Sequence, residues 1–324
     1  MTTGEPATSA DSADADVLGG PGGGGTRLIW SGGGVEVHIV SDGAYRNDGG
    51  AMFGVVPKML WAARVPADDR NRVPLALNCL LVRDGENTVL IDTGYGDKLG
   101  EKGLEHFNLD PKRPGLPAAL RSLGVVPDRV DIVVNTHLHG DHCGWNTTMV
   151  DGQAVPTFPN ALYVVQRHEF AEARYPNERT RATYFPDNFV PIEATGRYDL
   201  VDGDTRVTAH VRAVVTRGHT RSHQSVIVEP PGGPPIVFLA DLSPRTVHME
   251  RIAWVPAVDV LPLDSLETKR SMARWIIEHD ALCVFEHDDA VPVGRLHEDG
   301  RNFRVEPVTG FTVPAASKSA SPSA

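Results

Sequence analysis

Eight consecutive residues, Asn135-Thr136-His137-Leu138-His139-Gly140-Asp141-His142, constrain this chain more than any other feature of it. They follow an apolar run at 131–134 that reads as a strand. Residues two apart project to the same side of an extended segment but not of a helix, so His137 and His139 face a common point. Gly140 lets the chain turn, and Asp141 and His142 follow at once. Imidazole nitrogens with a carboxylate oxygen and no thiolate suit zinc or a similar divalent ion. In a chain with 13 histidines, such a pattern arises by chance on the order of one time in a thousand. The competing reading is a polar turn of surface histidines.

Four donors are too few for two ions, so the pattern demands distant partners. His219 in Gly218-His219-Thr220, Asp241 and His287 each stand just beyond the carboxyl end of a predicted strand. Loops converge there, and sites are commonly built there. Taken singly, each is an ordinary polar turn residue. Their shared placement gives them weight.

The rest of the chain reads as one layered domain. Residues 1–25 and 313–324 are Gly, Ala, Ser, Thr and Asp with little apolar content, and are expected to be disordered tails. The body at 26–312 has no low-complexity linker, so a single domain is expected. Strands are predicted at 35–40, 76–82, 88–91, 131–135, 161–166, 206–215, 224–229, 236–240 and 282–286. Leu116, Leu120 and Leu123 share a helix face that Gly124 should end. A second helix is predicted to start at Asp264, with Glu267 completing a capping box. Leu266, Met272, Trp275 and Ile276 would be its buried stripe. Many strands with interspersed helices imply an α/β or α+β layering.

Charge and hydropathy exclude several roles. Lys and Arg number 31 against 42 Asp and Glu, a net charge of −11, which argues against nucleic-acid or membrane-surface partners. No apolar run approaches the ~18 residues of a membrane span. The N-terminus shows no basic or apolar signal region, so a cytoplasmic location is expected. Cys79, Cys143 and Cys283 form no disulfide framework, and Cys143 reads as a small buried thiol.

With these residues in hand, the chain resembles the metallo-β-lactamase fold superfamily, a βα/αβ four-layer sandwich. The resemblance implies that His137, His139 and His219 hold one metal, that Asp141, His142 and His287 hold a second, and that Asp241 bridges them. Asp92 in Leu90-Ile91-Asp92-Thr93-Gly94 matches the family's supporting aspartate, which orients ligands. The commonest β-lactamases place Cys at the position of Asp241, and flavodiiron enzymes an acidic residue at that of His139, so neither activity is expected. Nucleases of this fold usually add a domain or a basic arm.

Outside the metal pattern, 48–58 (Asp-Gly-Gly-Ala-Met-Phe-Gly-Val-Val-Pro-Lys) is a Gly-rich turn leading into an apolar hairpin or loop. It is nearly identical to a segment of YtnP-type quorum-quenching lactonases, and the similarity continues at 181–184, 241–244, 254–255 and 264–265. This implies two zinc ions and hydrolytic opening of a lactone, either an N-acyl homoserine lactone or a γ-butyrolactone. Asp141 would be both ligand and proton carrier. Met52, Phe53, Val55 and the 252–255 loop with Trp254 are candidates to hold an acyl chain, or are simply core. His223 and His248 are polar candidates beside the site, between ligand support and surface.

Three departures stand out. Gly140 replaces a frequent Phe, which should open space beside the metals. Arg221 interrupts the commoner GHTPGH. Pro244 stands where better-known acyl-homoserine lactonases have Tyr. The alternatives are a phosphotriester, phosphodiester or other ester hydrolase on the same metal pair, an iron sulfur-dioxygenase, and a silent binding protein.

Overall fold

Val35, Val37 and Ile39 recur at a spacing of two and are fully buried, which makes their strand one wall of a core. The structure, a computed structural model, describes residues 25–309, so both expected tails lie outside the described residues apart from Gly25. The first half holds β1 (Thr26–Gly32), β2 (Val35–Asp48), β3 (Arg72–Asp84), β4 (Asn87–Ile91), β5 (Ile132–Val134), the hairpin β6 (Thr147–Val150) and β7 (Gln153–Pro156), then β8 (Leu162–Gln166) and β9 (Tyr198–Val201). The second half holds β10 (Thr205–Arg206), β11 (Val211–Val215), β12 (Gln224–Val228), β13 (Ile236–Phe238), β14 (Leu282–Val284), β15 (Val293–Asp299) and β16 (Asn302–Pro307). Eight helices complete the described chain: α1 (Gly49–Phe53), α2 (Lys58–Trp61), α3 (Glu101–Phe107), α4 (Gly115–Ser122), α5 (Arg167–Arg174), α6 (Val190–Glu193), α7 (Thr246–Glu250) and α8 (Pro262–Glu278).

These strands make two seven-stranded sheets, ordered β1-β2-β3-β4-β5-β8-β9 and β10 through β16 in sequence. Ile39, Leu80, Ile91 and Val134 of the first sheet pack on Val226, Phe238 and Val284 of the second, all fully buried. Each such side chain contributes roughly 1.5–3 kcal/mol by leaving water. On the outer face of the first sheet, Leu116 and Leu120 of α4 cover Val133 and Tyr163. On that of the second, Met272 and Ile276 of α8 cover Leu239 and Phe285. Helix, sheet, sheet, helix is the four-layer order that the family resemblance implies. Among the described residues, no helix is long and apolar enough to cross a membrane.

Several local expectations need correction. Helix α4 ends as foreseen, with Leu123 as its cap and Gly124 at φ 72°. Helix α8 instead starts at Pro262, whose fixed φ suits the first turn, so the Asp264–Glu267 capping box does not form. Asp264 accepts from Arg217 Nε at 2.6 Å, and Glu267 pairs with Arg270 at 2.6 Å. The strand expected at 206–215 is interrupted, because Thr208 and His210 turn aside to bind the buried Asp84 carboxylate of β3. The expected strands at 131–135, 236–240 and 282–286 all stop short, at Val134, Phe238 and Val284. That frees the residues after them for the site. The strands β1, β9, β15 and β16 and the β6–β7 hairpin were not foreseen.

Candidate metal centre

The loop after β5 begins with Asn135 and Thr136 and delivers four donors. Asp92, just past β4, organises it. Its Oδ1 accepts from Thr136 N at 2.8 Å, and its Oδ2 from Thr136 Oγ1 at 2.6 Å. Asp92 itself sits in the left-handed region at φ 55°, a conformation costing roughly 1–3 kcal/mol in a non-glycine residue. Since Thr136 Oγ1 gives its proton to Asp92, it must accept from His137 Nδ1, 3.1 Å away. His137 Nε2 is therefore a bare lone pair, and it is buried without a partner.

The same logic fixes three other rings. His287 Nδ1 donates to Ala76 O at 2.8 Å. His219 Nδ1 donates to Asp259 Oδ1 at 2.9 Å, and Asp259 is anchored in turn by Ser265 Oγ at 2.5 Å. His142 Nδ1 has two carboxylates, Asp92 Oδ2 at 3.1 Å and Glu286 Oε2 at 3.0 Å. All three rings thus turn Nε2 inward, as the atom that a cation would bind in place of a proton.

These nitrogens then meet one another. His219 Nε2 lies 3.0 Å from His139 Nδ1, and His287 Nε2 lies 3.3 Å from His142 Nε2. Ring nitrogens this close need a proton or a metal cation between them. Asp241 spans both pairs: Oδ2 is 3.0 Å from His219 Nε2, and Oδ1 is 3.2 Å from His287 Nε2. Asp241 Oδ1 is another buried atom without a hydrogen-bond partner. His137, His139, His219 and Asp241 form one group able to hold an ion, and Asp141, His142 and His287 form a second. The donor set fits two divalent cations.

Electrostatics point the same way. Burial pushes His137 and His139 well below the ordinary imidazole range, so both are neutral. Burial acts on His287 too, but Asp241 outweighs it and lifts this ring to about 9. Burial pushes Glu286 up to about 8, the His142 charge notwithstanding. Asp241 thus holds a proton on His287, positive charge that a bound cation would replace.

The remaining sequence candidates fall in two places. His223 is fully buried, its Nδ1 2.8 Å from Thr216 Oγ1 and its ring 5.2 Å from that of His137. Burial pushes it down to about 3, so it is a neutral neighbour of the cluster and not part of either metal group. His248 is not at the surface: it is buried, with Nε2 donating to Met52 O at 2.9 Å. Phe53 is stacked between Trp61 and His248 and offers no surface, whereas Val55 is 98% exposed. Met52 and half-buried Trp254 belong to the same cluster. Gly140, expected to open space beside the ions, instead admits Phe185. A Cβ at Gly140 would sit 2.3 Å from that ring.

Sequence reasoning missed Tyr45, Asp259, Glu286 and Glu169. Tyr45 enters from β2, and its hydroxyl donates to Asp141 Oδ2 at 2.8 Å. A phenol thus reaches the donors from a different element than position 244, where the Pro244 carbonyl accepts from His287 N. Burial and the nearby Asp141 push the Tyr45 phenol well above its ordinary value, so it remains a donor.

Comparison with known proteins agrees with this geometry. The family model of the Metallo-beta-lactamase superfamily matches residues 72–295. The chain belongs to that superfamily, and it is a metal-dependent hydrolase. The N-acyl homoserine lactonase AttM of Agrobacterium fabrum is 28% identical over 215 residues, covering 64% of this chain and 76% of its own. An N-acyl homoserine lactonase of Bacillus cereus is 23% identical over 228 residues, covering 67% and 83%. Among solved structures, a probable metal-dependent hydrolase from Staphylococcus aureus superposes with TM-score 0.77 at 30% identity, covering 86% of this chain and 99% of its own. The dizinc quorum-quenching lactonase AidC shares the fold at TM-score 0.70 and 17% identity, covering 89% and 99%.

Proposed function

We propose that this chain is a dinuclear zinc lactonase that opens the ring of N-acyl homoserine lactones. The observation that carries the reading is the convergence of five buried histidines, His137, His139, His142, His219 and His287, on the carboxylate of Asp241. An imidazole-rich set with carboxylates favours zinc. His137, His139 and His219 would hold one ion, Asp141, His142 and His287 the other, and Asp241 both. When bound, such a pair supplies a water acidified toward neutral pH and a Lewis acid for the ester carbonyl.

The chain's own residues supply the rest. The Asp141 side chain is 18% exposed, so it meets both the donors and incoming solute. Its carboxylate takes the proton released as the nucleophile attacks and returns it to the leaving ring oxygen. Tyr45 holds Asp141 Oδ2 in place and keeps its own proton. Met52, Val55 and Trp254 would be the apolar residues to accept an acyl chain. The two lactonase relatives support the substrate class. Three buried, unpaired cysteines support a reducing, cytoplasmic setting.

The deciding experiment follows ring opening of N-acyl homoserine lactones, γ-butyrolactones and a phosphotriester by the purified protein, before and after chelation and zinc return. Homoserine lactones should be turned over best, with activity lost on chelation and restored by zinc. A protein that cleaves the phosphotriester and leaves every lactone intact overturns the lactonase reading.

A further inference from the structure

Glu169, in the first turn of α5, is a carboxylate with no exposed surface. Its partners come from three separate segments. Oε1 accepts from Leu138 N at 3.0 Å and from Tyr184 OH at 3.0 Å. Oε2 accepts from Thr220 Oγ1 at 2.6 Å. Leu138 lies between His137 and His139, and Thr220 directly follows His219. Tyr184 in turn packs its ring 4.9 Å from that of His139 and pairs with it as a β-bridge.

We propose that Glu169 is a positioning residue that fixes the spacing between the loops carrying His137, His139 and His219, and so governs the first metal site selectively. This rests on the two-metal reading above. The closest meeting of those two loops at the donors is the 3.0 Å approach of His139 Nδ1 to His219 Nε2. Glu169 spans the same gap from behind. The second set is held by other means: Tyr45 on Asp141, Asp92 and Glu286 on His142, and Ala76 O on His287.

A carboxylate is needed because all three partners are donors, and an ionised carboxylate only accepts. In Glu169→Gln, the amide oxygen can replace Oε1 and keep Leu138 N, which has no alternative. The amide nitrogen then faces the Thr220 hydroxyl, which can turn to accept, so a weaker neutral bond replaces the charge-assisted one to the His219 loop. Thr220→Val cuts the same link from the other side with almost no change of shape.

Zinc binding to the metal-free protein, followed by competition with a chromophoric chelator, tests this together with the melting temperature of the metal-free form. Thr220→Val should weaken one of two binding steps by about 10–100-fold, leave the other step alone, and lower the metal-free melting temperature because it strands a buried carboxylate oxygen. Glu169→Gln should weaken the same step by less and melt closer to the wild type. Should Glu169→Gln fail to fold, Thr220→Val carries the test. If the wild type holds two ions and the variants weaken both steps equally, or neither, the positioning role is overturned and the two-metal reading stands. If the wild type holds one ion and Thr220→Val weakens it, the two-metal reading falls and the positioning role is supported.

Discussion

The two halves of the molecule build the same kind of sheet but supply donors in opposite ways. In the first half, His137, His139, Asp141 and His142 lie within six residues of one loop after β5. In the second, His219, Asp241 and His287 come from three different loops, after β11, β13 and β14. The crowded loop shares its supports, since Asp92 through Thr136 serves His137 and directly serves His142. Each scattered donor has its own: Asp259 for His219, Ala76 O for His287, and the backbone at Ala240 for Asp241. A fault in the first half should therefore spread, and one in the second should stay local.

Asp141→Asn should have the largest effect. It keeps shape and an oxygen ligand but removes the basicity that carries the proton. Lactone turnover should fall by about 10²–10⁴-fold from the general-base loss alone, and excess zinc should not restore it. If zinc restores full turnover, Asp141 is only a ligand, and the asymmetry between the halves is one of spacing rather than chemistry.

Paired asparagine variants then compare the two kinds of support. In Asp92→Asn the new amide nitrogen meets two donors, Thr136 Oγ1 and His142 Nδ1, so both metal sets are disturbed. Glu286 still offers an acceptor to His142, which limits the damage. In Asp259→Asn the remaining oxygen can serve His219, and the Ser265 hydroxyl can turn to accept. Zinc affinity should drop toward the top of the 10–100-fold range for Asp92→Asn and toward the bottom for Asp259→Asn, the latter in one binding step only. Titrating both variants with zinc checks this. Equal losses would mean that the halves fail alike.

The same contrast explains what could be read from sequence. The α/β or α+β class was legible because strand-length apolar runs and two one-sided apolar helix faces stand out in the chain, while the four-layer order came with the family resemblance. The H-x-H-x-D-H loop was legible because its donors are neighbours in the chain. Asp259, Glu286, Tyr45 and Glu169 were not, since each is one polar residue whose meaning depends on a partner far along the chain, as with Tyr45 and Asp141. The helix start at Asp264 misled for a related reason. A local capping pattern competed with Pro262 two residues earlier and with Arg217 across a loop, and both prevailed. Gly140 misled because the ring that fills its space, Phe185, belongs to another segment.

The smallest effect expected is that of Ala240→Gly, and it tests how the second half aims its bridging carboxylate. Ala240 sits at φ 46°, as Asp92 does at φ 55° in the first half, so each half strains a residue between a strand and the site. At Asp92 the strained residue is itself the support, whereas at Ala240 the strain turns the chain so that Asp241 faces the donors. Glycine adopts this conformation freely and relieves about 1–2 kcal/mol. Against that stand the loss of a fully buried methyl, about 0.8 kcal/mol, and greater freedom in the unfolded chain, about 0.5–1 kcal/mol. These oppose and nearly cancel, so denaturant unfolding of the metal-free variant should fall within about 1 kcal/mol of wild type. Zinc affinity should drop only a few-fold, because glycine permits Asp241 to wander without removing it. A loss above roughly 2 kcal/mol, the scale of a cavity left in a packed core, would show that the methyl's packing holds this turn, and that the backbone conformation does not.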